Sequence, residues 1–244
     1  MFGIRIAELN VEIDHKYPFV KEFCREFLAD FEVPDIRVFV SEAELEEERR
    51  IDPYGSSDGY LECICIYRKI ALQLPRFDAM VFHASVVACD GEAYAFAAHS
   101  GTGKSTHTAL WMQVFGERAQ IVNGDKPVLR LVDGCWRAYG TPWRGKEKLG
   151  GNCSAPLKAI CFLERGEVNR IAPLDSEQMI ARLFGQVILP KDPEVAELFL
   201  TLLDSLVTNT PTYLLHCNMS PEAATVSHDG MCDITKKENP CETQ

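Results

Sequence analysis

From Ala98 to Thr106 the chain reads Ala-His-Ser-Gly-Thr-Gly-Lys-Ser-Thr. Two glycines around one threonine, followed at once by a lysine and a hydroxyl residue, suit the gripping of a polyphosphate. Gly101 and Gly103 can take backbone angles that turn successive N–H groups inward onto phosphate oxygens. A helix beginning near Ser105 aims its positive end at the same place. Lys104 can neutralise β- and γ-phosphates, and the Ser105 hydroxyl can ligate Mg²⁺. Ala98 stands where the pattern usually has its first glycine, a position that tolerates a small side chain. Ala98, His99, Ser100, Gly101, Thr102, Gly103, Lys104, Ser105 and Thr106 form the candidate nucleotide-binding set. ATP is favoured over GTP, because the chain contains no guanine-reading Asn-Lys-x-Asp.

Phosphoryl transfer also asks for a carboxylate near the metal and a base for the acceptor. Asp125, in Gln-Ile-Val-Asn-Gly-Asp-Lys-Pro, sits just past a short apolar run and is the candidate for both; the same composition also suits a plain turn. His83 precedes an Asp90-Gly91 hairpin signal. Pairing residues symmetrically about that turn places His83 beside Ala98. Arg144, Lys146 and Lys148 crowd a glycine-rich segment and could bring positive charge onto the transferring group. Arg118, Lys126 and His107 read as ordinary surface or helix residues.

These groups need a strand, loop and helix in that order. Ala93–Ala98 is apolar and strand-like, and the segment from Ser105 through Phe115 is rich in helix formers. Hairpin signals at Asp90-Gly91 and Asp133-Gly134 predict a mixed sheet rather than a purely parallel one. Upstream, the pattern predicts a strand over Gly3–Ile13 and a helix over Pro18–Phe31 with Phe19, Phe23, Phe27 and Phe31 on one core face. A helix over Tyr60–Leu74 stops at Pro75. Downstream, two helices fall between 175 and 208, then a closing strand and a short helix. The divisions expected are an N-terminal α+β section (1–75), a core carrying the loop (76–232) and a frayed tail (233–244).

The chain has 244 residues, 46% of them hydrophobic, enough for a sizeable core. Its 36 acidic against 25 basic residues leave a formal charge of −11. That balance argues against a nucleic-acid partner and requires any phosphate site to be locally positive. No apolar run is long enough to span a bilayer, and the N-terminus lacks a signal-peptide pattern, so a cytoplasmic protein is expected. The 10 cysteines include no Cys-x-x-Cys, and are expected to be reduced and mostly buried.

The stretch His-Ala-Ser-Val-Val-Ala-Cys-Asp-Gly-Glu-Ala-Tyr-Ala-Phe-Ala-Ala-His-Ser-Gly-Thr-Gly-Lys-Ser resembles the catalytic domain of the HPr kinase/phosphorylase family. There a histidine, a hairpin and a glycine-lysine loop follow in the same order. The likeness covers about residues 80 to 165 and continues, more loosely, through the Asn-Gly-Asp-Lys-Pro and basic segments. It implies an α/β P-loop core with a mixed sheet flanked by helices, shared with phosphoenolpyruvate carboxykinases. It further implies ATP and Mg²⁺ as cofactors and transfer to a serine hydroxyl of a peptide, a small protein or a small molecule. His83 would lie by the phosphates, Lys104 and Ser105 would hold nucleotide and metal, and Asp125 would match the second of two family aspartates. The first falls on Gly124 here. Two alternatives to a kinase therefore stay open: a catalytically silent nucleotide-binding regulator or scaffold, and an ATPase coupled to a partner. Relatives form hexamers, so a homo-oligomer is among the expectations.

Overall fold

The computed structural model describes residues 1–99 and 101–232; Ser100 and the expected tail at 233–244 lie outside the described residues. The chain opens with a hairpin, β1 (Phe2–Ile6) and β2 (Leu9–Asp14), where one strand was expected. Ala7 and Glu8 make the turn with φ of 48° and 63°. Neither is the glycine, asparagine or aspartate that signals such a turn, which hid the reversal. Helix α1 (Pro18–Phe23) ends well before the predicted Phe31, and a short 3₁₀ turn follows over Arg25–Phe27. Pairing with the hairpin edge draws the chain out of the helix: Ala29 N–H donates to Gly3 C=O, and Leu28 bridges to Ile4. The four phenylalanines therefore share no face; Phe27 is buried while Phe19 is 45% exposed.

Strand β3 (Ile36–Phe39) runs parallel to β2, and α2 (Glu42–Ile51) starts in a Ser41–Glu44 capping box. Helix α3 (Asp58–Ala71) buries Leu61, Cys63, Ile66 and Ile70. The apolar run Met80–Ala88, strand-like throughout in the sequence, is divided between two strands, β4 (Ala79–Val81) and β5 (Ser85–Cys89), which join different neighbours. His83 occupies the break, its N–H donating to Gln186 C=O. Strand β6 (Glu92–Ala97) returns through Asp90 and Gly91, with φ of 52° and 86°.

After α4 (Lys104–Phe115) come β7 (Ala119–Asn123), β8 (Val128–Val132), β9 (Cys135–Tyr139), β10 (Ser154–Arg165) and β11 (Arg170–Pro173). Helices α5 (Ser176–Leu183) and α6 (Pro193–Asn209), strand β12 (Thr212–Cys217) and helix α7 (Glu222–Cys232) complete the described chain. The large sheet is ordered β4-β8-β9-β10-β6-β5-β7, with β12 also on β10 and β11 on β12. Strand β10 belongs to two neighbourhoods. Its first residues pair antiparallel with β9, and its later ones parallel with both β6 and β12. Because β5 opposes both β6 and β7, the strands β6, β7, β10 and β12 all end at one edge of the sheet. In α/β sheets such a carboxyl edge is where ligands bind.

Alternation along β6 builds two cores. Ala93, Ala95 and Ala97 pack with α5 and α6 through Met179, Leu183, Phe199 and Leu203. Tyr94 and Phe96 face α4 and α7 through Leu110, Trp111, Ala224 and Met231. A third core joins the N-terminal section to the rest: Ile4, Val11, Leu45 and Ile66 share it with Val81, Val128, Tyr139 and Trp143. The result is a mixed sheet flanked by helices, with no helix among the described residues long and apolar enough to cross a membrane. Cys24, Cys63, Cys65, Cys89 and Cys161 are buried free thiols.

Candidate functional site

The loop between β6 and α4 has the shape its glycines permit. Gly101 and Gly103 take φ of 78° and 123°, where a side chain would be strained although space around both is open. Gly103 is the N-cap of α4 and no side chain caps it, so the first-turn N–H groups are left for a ligand to satisfy. The helix start is fixed from behind: Thr108 Oγ1 donates to Lys104 C=O at 3.0 Å and lies 2.6 Å from Ser85 Oγ of β5. Lys104 folds over the loop and donates to Ala98 C=O at 3.1 Å. Burial holds its pKa below the ordinary lysine value, and the Asp125 charge only partly offsets this.

Asp125 follows β7 and is held by its own turn. Asn123, fully buried, accepts through Oδ1 from the N–H groups of Asp125 and Lys126, both at 2.8 Å. Its amide donates to Thr141 O and Oγ1, and Thr141 Oγ1 donates back to Lys126 C=O. The aspartate's carboxylate is thereby aimed at an imidazole and an ammonium group. His83 Nε2 lies 3.1 Å from Oδ1, and Lys126 Nζ lies 3.2 Å from Oδ2. Burial pushes the Asp125 pKa up, but the His83 hydrogen bond and the Lys126 charge outweigh it and leave a carboxyl below its ordinary range. For Lys126 burial wins over the carboxylate and the pKa is lowered.

The basic segment closes over this turn. Gly124 N–H donates to Leu149 C=O at 2.9 Å, and Gly151 N–H to Val122 C=O at 3.3 Å. Arg144 is not aimed at open space: its guanidinium donates twice to Glu26, at 2.9 and 3.0 Å, and to Gly150 C=O. Lys146 and Lys148 are exposed at the rim. Between them Glu147 accepts from Ser105 Oγ at 3.0 Å.

Two cavities meet at the loop. The larger, about 950 Å³, is lined by His83, Lys104, Ser105, Asp125, Lys126 and the 143–148 segment. Its opposite wall, formed by Phe19, Phe23, Tyr60, Ile64 and Tyr67, comes from α1 and α3. The smaller, about 470 Å³, lies at the ends of β10 and β12, between Leu110, Leu163, Arg165 and Met219. Gly101, Gly103 and Thr106 line both. Arg165 ties the loop down by donating to Gly101 C=O at 2.7 Å.

Several contributors are invisible along the sequence. Lys126 reads as surface yet stands in the cavity; its adjacency to Asp125 was the available signal. Thr141 and Arg165 act through partners distant in sequence and carry no local mark; Asn123 makes a local turn, but its anchor on Thr141 is distant. His107, read as an ordinary helix residue, is buried, accepting from Trp111 Nε1 and facing Ser227. Burial drives its pKa down to about 4. Among the described residues, Cys89, Asp90 and His228 form a trio with ligand atoms within 4.8 Å, away from this site, and Arg118 already engages Asp90 through both carboxylate oxygens.

No protein-family model matches the sequence, and no curated protein does. Among solved structures the chain is similar to one titled the Hpr(Ser) kinase/phosphatase from Coxiella burnetii, at 12% identity. The match covers 63% of this chain and 97% of that one, with a TM-score of 0.39. At that score the likeness carries no argument about function.

Proposed function

We propose that the protein is an ATP-dependent, Mg²⁺-requiring phosphotransferase that moves the γ-phosphoryl group to a hydroxyl of a peptide, a protein or a small molecule. The supporting observation is that one glycine loop lines two cavities. A polyphosphate gripped by Gly101, Gly103 and Lys104 has its nucleoside in the smaller cavity and its last phosphorus facing Asp125 and His83. The acceptor enters the larger cavity, and the aromatic wall of α1 and α3 selects its flanking groups.

In the reaction the acceptor oxygen bonds to the γ-phosphorus as the bond to the β–γ bridging oxygen breaks and ADP leaves. The hydroxyl proton passes to an Asp125 carboxylate oxygen. Asp125 is a weak base, and a loose transition state asks little of its nucleophile, so a weak base suffices. His83 fixes the carboxylate, while Lys104 and Lys126 offset charge on the transferring group. Ser105 Oγ and Asp125 are hard oxygen donors, a set that fits Mg²⁺, which when bound neutralises the β- and γ-phosphates.

Incubation with γ-labelled ATP and a panel of serine-containing acceptors tests the reading. Labelled acceptor is expected, with Asp125→Asn lowering the rate about 10²- to 10⁴-fold. Intact ATP binding with no transfer to any acceptor counts against it. A second reading, a silent nucleotide-binding regulator, draws on Gly124 and on the engagement of Arg144 by Glu26. It requires Asp125→Asn to preserve cellular function while Lys104→Ala abolishes it.

A further inference from the structure

Gly124 leaves the end of β7 with one carboxylate where the resembling family has two. A Cβ built on Gly124 would lie 3.0 Å from Arg144 O and 3.3 Å from Leu149 Cβ and Leu149 O. The space beside the missing side chain is therefore taken by the backbone of the 144–149 segment. That segment is stitched to the strand end by Gly124 N–H to Leu149 C=O and by a bridge between Asn123 and Gly150. Its close approach carries Glu147 over the start of α4, where Glu147 Oε2 accepts from Ser105 Oγ at 3.0 Å. Ser105 is the hydroxyl that the loop offers to a metal, and Glu147 lines the same cavity as Asp125.

We propose that Glu147 supplies the second carboxylate of the metal site, reaching it from the basic segment instead of from the strand end. The inference rests on the phosphate-site reading above. Glu147 is a positioning residue: by accepting the hydrogen bond from Ser105 Oγ–H it leaves the hydroxyl's lone pairs turned toward the cation. Partners that orient a ligand in this way are worth about 10- to 100-fold in metal affinity. Its negative charge also balances Lys146 and Lys148, which flank it in the segment.

The test separates metal from nucleotide. ATP affinity is measured by calorimetry in EDTA and in Mg²⁺, and Mn²⁺ is titrated, with electron paramagnetic resonance, into protein saturated with a non-hydrolysable ATP analogue. For Glu147→Ala, ATP affinity in EDTA stays within about twofold of wild type, while Mn²⁺ affinity and the Mg²⁺-dependent gain fall about 10- to 100-fold. Glu147→Gln keeps an oxygen that accepts from Ser105 but loses the charge, and falls between the two. Glu147 is exposed, so both variants keep the fold, which far-ultraviolet circular dichroism verifies. Unchanged or increased Mn²⁺ affinity in Glu147→Ala overturns the assignment and leaves the phosphate site standing. Wild type that takes up no nucleotide in either medium overturns both.

Discussion

Lys104 keeps its ammonium in a half-buried loop, where burial disfavours the charged form. A polyphosphate favours that form again, so binding takes up a proton whenever the free lysine is partly neutral. The sign follows: nucleotide affinity is full below the depressed pKa of the free protein. It then falls as pH rises through that value, by at most about tenfold per pH unit. Calorimetry in buffers of different ionisation heat, about two units or more above the ~6 of a phosphate's second ionisation, measures the uptake. Lys104→Met removes both the uptake and most of the affinity. Zero net proton uptake in the native protein would contradict this account. His83, Lys104 and Asp125 could be picked out beforehand because their signals are local: a loop pattern, a hairpin count and a strand end. The turn that aims Asp125 could not, since it depends on a hydrogen bond from Asn123 to Thr141, 18 residues away.

At the level of elements, the glycine-rich segment after β9 is a turn-rich loop docked on the end of β7 through the bridge between Asn123 and Gly150. Gly150 shows why it is glycine-rich. Its φ is 105°, and an added Cβ would lie 2.5 Å from Val122 O and 2.8 Å from Asn123 Cα. Gly151, next to it, has an ordinary φ and open space. Gly150→Ala is therefore expected to cost about 1–3 kcal/mol and to lower the melting temperature by about 2–4 °C per kcal/mol. It also weakens Mg²⁺-dependent nucleotide binding, because the segment no longer seats Glu147. Gly151→Ala stays close to native in both. Equal melting temperatures for the two variants, read by differential scanning calorimetry, would sink the docking argument. Most elements of the core were readable in the sequence, because Asp90-Gly91 and Asp133-Gly134 mark their turns and the apolar periods are clean. The errors fell where tertiary pairing overrode local preference. Contact with β1 ended α1 early, and the switch of partners at His83 divided one apolar run into β4 and β5.

Taken whole, the molecule has no seam between its N-terminal section and its core. The cluster around Ile4 and Ile66 includes Val81, Val128, Tyr139 and Trp143. Polar ties reinforce it: Trp143 Nε1 donates to Cys63 C=O at 3.1 Å, and Arg130 to Ala7 C=O at 2.7 Å. A chain starting at Arg76 is expected to lack fixed tertiary packing. Near-ultraviolet circular dichroism and binding of a hydrophobic dye would report it; a cooperative melt of that fragment would show the opposite.

This shared packing limits how the wall of the larger cavity can be exchanged. The aromatic wall that faces the loop is made of the same helices that close the N-terminal core, so it is not an exchangeable cassette. If the wall selects an acceptor as proposed, new preferences are expected to arise by single replacements at half-exposed positions such as Phe19 and Tyr60 rather than by recombination at residue 75.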